Sequence, residues 1–326
     1  MHNFKKIIYP IVFIILILCM NQILMLAVSP YTEFRNDMHK LETNQYDTLY
    51  IGTSHGKAGL NPNVIDEITG EKSLNMCLGG EEMVDSYYIV KEACRVNKPQ
   101  KVVYELDPGY WAMKVALSPE YLAIYDEFPV SDVKAEYYMD KVWREDFRVT
   151  LFPWFLYRKG IKGAKQRLER KLSKEYQEYS DSFYSNDWQK YTEKGQIAIS
   201  RNTPFNASED IVLWDRKKLN SEAVEAFGKL VKLCKKEGIE LMVVTAPVPQ
   251  ETFEKYKSNF EDADKFFANY MSEQGVDYYN FNYIDIPGFD RSINGFSDYE
   301  GHMYEDQAEI FSAKIGKQME DLKNRQ

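Results

Sequence analysis

Between Ile7 and Val28 the chain runs for 22 residues without a charge, and this run limits the fold more than any other feature. About 20 apolar residues in a row cross the hydrocarbon core of a bilayer as a helix. Lys5 and Lys6 precede the run and the next charge is Glu33. That asymmetry implies a single pass with residues 1–6 in the cytoplasm, a transmembrane anchor over 7–28, and the main domain outside the cell. A cleaved signal peptide is the alternative, because Leu26-Ala27-Val28-Ser29 loosely resembles a cleavage site. The run is longer than an ordinary signal core, which favours an uncleaved signal anchor. With Lys5 and Lys6 set aside, 39 basic residues face 50 acidic ones, a net charge of −11. This argues against nucleic acid, whose binding depends on neutralising phosphates. Beyond the anchor, Cys77, Cys94 and Cys234 are too few for a disulfide scaffold. A Cys77–Cys94 pair is conceivable, but buried free thiols are the default reading. With four histidines and no metal-ligand spacing, no metal and no cofactor is expected.

Residues 29–44 are polar and read as a stalk, with one large domain over 45–326. Asp47–Ile51, Ser73–Met76, Lys101–Leu106, Ile239–Thr245 and Val276–Phe281 are short apolar runs of strand length. Between them Glu82–Cys94, Ser221–Gly238, Phe253–Gln274 and Glu305–Leu322 show helical spacing, and Gly238 is a C-terminal stop. Ser54–Pro62 is Gly-rich and reads as a loop that enters a helix near Val64. From Tyr110 to Asn220 the alternation gives way to aromatics and Lys-rich helical stretches, read as a helical insertion or lid over 110–220. Strands alternating with helices predict an α/β three-layer sandwich with a mainly parallel sheet. Ligands of such sheets bind beyond the carboxyl ends of the strands. Ser54, Asp107 and Thr245 all follow strand ends, so they share one rim.

A serine hydroxyl needs a base to become a nucleophile, and that base is most often histidine. His2 falls on the cytoplasmic side and His39 in the stalk. His55 adjoins Ser54, and adjacent side chains usually diverge. His302, after the last strand, is what remains. Asp298 can fix its tautomer, with Glu300 as competitor. Each residue also has a plain alternative. Ser54 can be a helix cap. Asn75 can be an oxyanion donor or a turn residue. Gly79 and Gly80 can offer N–H groups to an oxyanion or merely permit a turn. Glu81 and Asp85 read as acids on a solvated helix start. Asp107 can bind a sugar hydroxyl or cap a turn, and Asn206-Ala207-Ser208 matches a glycosylation acceptor.

The ordered set Ile51-Gly52-Thr53-Ser54-His55, Leu74-Asn75-Met76 with Gly79-Gly80, Ser86–Glu92, Val102–Leu106, Leu241–Pro247 and His302-Met303 resembles the SGNH hydrolase superfamily. Within it the likeness is to membrane-anchored, extracytoplasmic members of Gram-positive bacteria. The D-alanine transfer proteins of teichoic acid modification and the alginate-type O-acetylation proteins belong to the same broad class. The resemblance covers about half the chain. It implies an SGNH/flavodoxin-like sheet, Ser54 as nucleophile, His302 as base, Asn75 near the site, and Gly79 or Gly80 in the oxyanion hole. Gly-Thr-Ser stands where the superfamily has Gly-Asp-Ser. Tyr299 occupies the usual acid position, and Asp107-Pro108-Gly109 stands where a Gly-x-Asn block is usual. The implied activity is that of a serine esterase or O-acyltransferase acting on O-acyl groups of a cell-envelope glycan or polymer. The implied partners are a cell-envelope polysaccharide or teichoic-acid-like polymer and a membrane-bound O-acyltransferase, with no nucleic acid. The alternative is a catalytically inactive SGNH-fold accessory or binding protein of an envelope acylation system.

Overall fold

The computed structural model describes residues 2–113, 119–143, 148–149 and 152–324. Met1 of the N-terminal region, positions 114–118, 144–147 and 150–151 of the 110–220 stretch, and the last two residues lie outside them. The chain forms two compact units, Met1–Thr32 with Ala116–Ser180, and Glu33–Val115 with Asp181–Gln326.

In the first unit, helix α1 (His2–Val28) contains the one segment among the described residues, Lys6–Val28, that is long and apolar enough to cross a membrane. Short helices at Pro119–Glu127, Asp132–Tyr137, Trp154–Tyr157 and Ala164–Lys171 accompany it. Val28, Leu122, Val142, Val149 and Tyr157 form their shared core. A helix leaves its last four carbonyls without partners. Here Lys171 Nζ donates to the carbonyls of Leu26 and Ser29, at 3.1 and 2.8 Å. Arg167 Nη1 donates to that of Ala27 at 3.3 Å. Both cations sit where the helix dipole favours them.

The second unit is an α/β sandwich. Its elements in chain order are α2 (Phe34–Thr43), β1 (Thr48–Gly52), α3 (Ser54–Gly59), α4 (Pro62–Thr69), β2 (Ser73–Asn75), α5 (Met83–Val96) and β3 (Lys101–Glu105). After Ser180 follow β4 (Gln189–Tyr191), β5 (Ile197–Ile199), α6 (Ser221–Glu237), β6 (Glu240–Thr245), α7 (Lys257–Gln274), β7 (Asp277–Asn280) and α8 (Glu305–Lys323). Five strands make a parallel sheet in the order β2-β1-β3-β6-β7, and β4 and β5 form a separate antiparallel pair. On one face, Tyr50, Val103, Met242 and Val244 pack against Leu60 beyond α3, Ile65 of α4, and Phe311, Ile315 and Met319 of α8. On the other, the Tyr104 ring meets Phe227 of α6, and Trp111 packs on Phe227 and Phe267 of α7. The order of the strands reverses between β1 and β3, so the ends of those two strands open a crevice where such sheets bind ligands.

Three sequence expectations are corrected. The 29–44 segment, expected as a polar stalk, carries α2, whose Phe34, Met38 and Leu41 are buried. Its polar residues misled because Asp37 is buried with Lys57 Nζ at 2.6 Å and the Tyr191 hydroxyl at 2.5 Å, partners distant in sequence. Ser54–Pro62 is not a loop: α3 starts at Ser54, and Thr53 rather than Ser54 is its N-cap, accepting from the His55 N–H at 3.3 Å. Glu81 and Asp85 are not solvated. Glu81 Oε1 accepts the Ser86 N–H at 3.2 Å, and Asp85 accepts the Glu82 N–H at 3.2 Å in a capping box on α5.

Burial pushes the Glu81 carboxyl up to about 8, with Asp85 and Glu105 adding repulsion against the weaker opposing bonds from Ser86. The folded chain therefore holds a proton that the unfolded chain releases near the ordinary carboxyl value of 4.5. This contribution to stability is complete below 4.5 and is lost as pH rises through about 8. Glu81→Gln keeps the shape without the ionisation. Thermal melts should show it level with the parent near pH 4.5 and more stable at pH 9, by roughly 1–3 kcal/mol. A constant difference across that range would contradict the assignment.

Candidate active site

The site begins with the turn out of β1. Gly52 has φ +133°, a region open to glycine, and a Cβ there would lie 2.2 Å from the Glu105 carbonyl oxygen. Thr53 then opens α3. Glu105, buried at the end of β3, accepts from the Thr53 N–H (3.1 Å), the Thr53 hydroxyl (2.7 Å) and the Gly56 N–H (3.3 Å). Gly56 has to be glycine here, since a Cβ would meet Cys77 Sγ at 2.6 Å and Glu105 Cβ at 2.9 Å. Burial raises the Glu105 carboxyl above its ordinary range, opposed by His55 and Thr53. With Thr53, His55 and Gly56 committed, the Ser54 N–H is left without a hydrogen bond among the described residues.

Ser54 Oγ lies 2.7 Å from His302 Nε2, and His302 Nδ1 lies 2.6 Å from Asp298 Oδ2. The four-residue offset between acid and histidine works because 296–303 doubles back on itself. Phe296 bridges Met303, the Ser297 N–H donates to the His302 carbonyl at 2.8 Å, and Gly301 turns at φ +123°. Asp298 Oδ1 then accepts the Gly301 and His302 N–H groups at 2.9 and 3.1 Å. Burial alone would raise the Asp298 carboxyl; His302 and the two N–H groups outweigh it and hold it at about 2. Asp298 is therefore ionised at neutral pH and fixes the imidazole with Nδ1–H toward it, leaving Nε2 to accept from Ser54. Glu300, the competitor, makes no hydrogen bond to the His302 ring among the described residues and lines a cleft beside it.

The oxyanion candidates divide. Asn75 does not have a free amide: Nδ2 donates to the carbonyls of Gly56 (2.9 Å) and Leu60 (2.8 Å), and Oδ1 accepts the Cys77 N–H (3.0 Å). It clamps α3 to β2 instead of facing a substrate. Gly79 and Gly80 form the turn after β2, Gly80 with φ +70°, and their N–H groups have no partner among the described residues.

Sequence reasoning set His55 aside, yet the structure brings it to the same rim. Its ring centroid is 4.9 Å from that of His302, and its Nδ1 is 3.4 Å from Asp107 Oδ2. Asp107 also caps its own turn by accepting the Gly109 N–H at 2.8 Å. Burial opposes the charged imidazole, but Asp107, with Glu105 and Asp298, overcomes it and pushes His55 up to about 9. Beside it a narrow cleft is lined by His55, Leu106, Asp107, Tyr110, Ile211 and Glu300 among others. Ile211 comes from the stretch expected as a lid. One ligand atom each from His55, Glu300 and His302 lies within 4.8 Å of the others, a spacing a cation could bridge. A metal needs deprotonated ligands, and here His55 holds its proton and both His302 nitrogens are engaged.

No protein-family model matches the chain, and no curated protein matches it. Among solved structures, one from Bacteroides fragilis described as a "putative acylhydrolase" aligns over 88% of this chain and 94% of that one, at 8% identity and a TM-score of 0.39. At that distance the likeness does not bear on the chemistry.

Gly52→Ala places a methyl group against the Glu105 carbonyl at an unfavourable φ. It should cost about 3 kcal/mol or more, read as a lower melting temperature. A loss under about 0.5 kcal/mol, the range of neutral surface changes, would show that the turn does not set the position of α3.

Proposed function

We propose that the second unit is a serine ester hydrolase or O-acyltransferase. The observation that carries this reading is the continuous chain from Ser54 Oγ to His302 to Asp298, with hydrogen bonds of 2.7 and 2.6 Å. The sequence resemblance to SGNH hydrolases supports the same reading. In the first half-reaction His302 Nε2 takes the Ser54 proton as the Oγ–acyl bond forms. The carbonyl oxygen gathers negative charge, and the Ser54, Gly79 and Gly80 N–H groups are the available donors. Each oxyanion donor is worth about 3–4 kcal/mol. The bond from the acyl carbon to the alcohol oxygen then breaks, and that oxygen leaves with the proton held by His302. In the second half-reaction water or another hydroxyl gives its proton to His302 and attacks the acyl carbon. The Oγ–acyl bond breaks, and Ser54 recovers its proton. Water as the second nucleophile gives an esterase, a glycan hydroxyl a transferase.

The apolar helix α1 and the flanking charges support an anchored enzyme facing the cell exterior, with O-acyl groups of a cell-envelope glycan or polymer as substrate. A membrane-bound O-acyltransferase is the partner that would supply acyl groups to such a site. The inactive-accessory reading would leave the Ser54–His302–Asp298 chain without a purpose.

The test is labelling of the full chain in detergent with a fluorophosphonate, the adduct mapped by mass spectrometry. Ser54 should be labelled, and Ser54→Ala and His302→Ala should abolish it. An intact protein that is not labelled would sink the proposal. Asp298→Asn should keep the fold and lower kcat for ester cleavage by about 10³–10⁴, because the imidazole then adopts the wrong tautomer. A loss below tenfold would remove Asp298 from the role of orienting acid.

A further inference from the structure

The cleft lined by His55 has a definite side. It is bounded by the residues that follow β3, Leu106 to Pro108, and those that follow β6, Thr245 and Ala246, with His55 at one end. The Gly79–Gly80 turn follows β2. Since β1 lies between β2 and β3, the candidate oxyanion donors and the cleft lie on opposite sides of the strand that carries Ser54. In acyl transfer the carbonyl oxygen goes to the oxyanion donors, and the alcohol oxygen goes to the imidazole that hands it a proton. The cleft is lined by His55, and the His55 ring packs beside that imidazole with centroids 4.9 Å apart.

Part of the cleft lining is polar. His55 Nε2 is buried and has no hydrogen-bond partner among the described residues. A buried donor is costly to leave unmade, so a partner brought by a ligand is favoured there. Glu300 and Tyr110 add an acceptor carboxylate and a phenol. Leu106, Ile211, Ala246 and Phe260 supply apolar walls. Apolar walls around a few polar groups suit a ring with C–H faces and hydroxyl edges.

We propose that this cleft receives the alcohol portion of the ester, a polyhydroxylated ring such as a sugar unit, and that His55, held by Asp107, donates its Nε2–H to an oxygen of that ring. The inference rests on the Ser54 reading and assigns to it an alcohol subsite and a residue that sets specificity. His55 determines specificity; His302 remains the base. The groups facing His55 are Asp107 and Glu105 from the end of β3, and Asp298, Glu300 and His302 from the loop before α8. The three acids Asp107, Glu105 and Asp298 keep its donor charged up to about pH 9.

The experiment measures kcat/KM of the full chain for an acetylated methyl glucoside and for phenyl acetate, and takes the ratio. Ser54 labelling by a fluorophosphonate is followed in the same preparations. His55→Phe and Ile211→Trp should each lower the ratio by about tenfold or more, in the range of a lost pocket contact. His55→Gln, which restores an N–H near the Nε2 position, should recover it to within about threefold of the parent. In Asp107→Asn the preference should decline as pH rises through the ordinary imidazole range near about 6.5, whereas the parent keeps it to about 9. An unchanged ratio in both His55→Phe and Ile211→Trp, with Ser54 still labelled, would overturn the proposal. If His55→Phe does not fold, His55→Gln and Ile211→Trp decide it by the same ratio. A parent that is neither labelled nor active overturns the Ser54 reading, and this inference with it.

Discussion

Everything at the site depends on one buried carboxylate. Glu105, at the end of β3, gathers the Thr53 N–H, the Thr53 hydroxyl and the Gly56 N–H. Those bonds fix the first turn of α3, and the first turn of α3 fixes Ser54. The approach is possible because Gly52 and Gly56 carry no Cβ, which would otherwise strike Glu105 or Cys77. A charge in the interior is tolerated when hydrogen bonds satisfy it. Here the donors are the N–H groups that a helix start leaves free. The same bonds that solvate Glu105 therefore cap α3, and neither group is satisfied without the other.

Beneath α3 a second buried network holds its other side. Lys57 of α3 reaches Asp37 at 2.6 Å and the Asn75 carbonyl at 3.3 Å, and Tyr191 closes on Asp37 at 2.5 Å. Burial pushes Asp37 up to about 6 even though Lys57 and Tyr191 favour its ionised form. Breaking a buried pair by removing one partner costs about 3–5 kcal/mol, because the other charge is left stranded. A short helix of six residues is thus tied at its start by Glu105, on its flank by Asn75, and underneath by Asp37. That is how a serine on so short an element keeps its distance to a histidine 248 residues away in the chain.

The central strands of the sheet were legible from the sequence because parallel strands buried on both faces read as continuous apolar runs. β1, β3 and β6 each fall within one or two residues of their expected limits. Ser54, His302 and Asp298 were legible because they follow strand ends or precede the last helix. What stayed hidden follows one pattern. Asp37 and Glu81 are acids whose partners lie far off in sequence, or behind a turn, so their polarity read as exposure. His55 was set aside because adjacent side chains diverge. On a helix start the two side chains are about 100° apart, and a rim that wraps around the turn can meet both. Asn75 shows the opposite error: a residue of the right type at a strand end, whose amide serves backbone carbonyls of the neighbouring helix.

The site contains the same device twice. His302 and His55 each set Nδ1 against a carboxylate, Asp298 in one case and Asp107 in the other. A carboxylate at Nδ1 fixes the orientation of either ring, so the carboxylates do not distinguish the two. The difference lies at Nε2. At His302 it faces the Ser54 hydroxyl at 2.7 Å, a group with a proton to give. At His55 it has no hydrogen-bond partner among the described residues, while three acids stabilise the charge. One imidazole is placed to accept a proton and the other to keep one. A reaction that must first remove a proton from serine and then hold an alcohol beside the base has use for both.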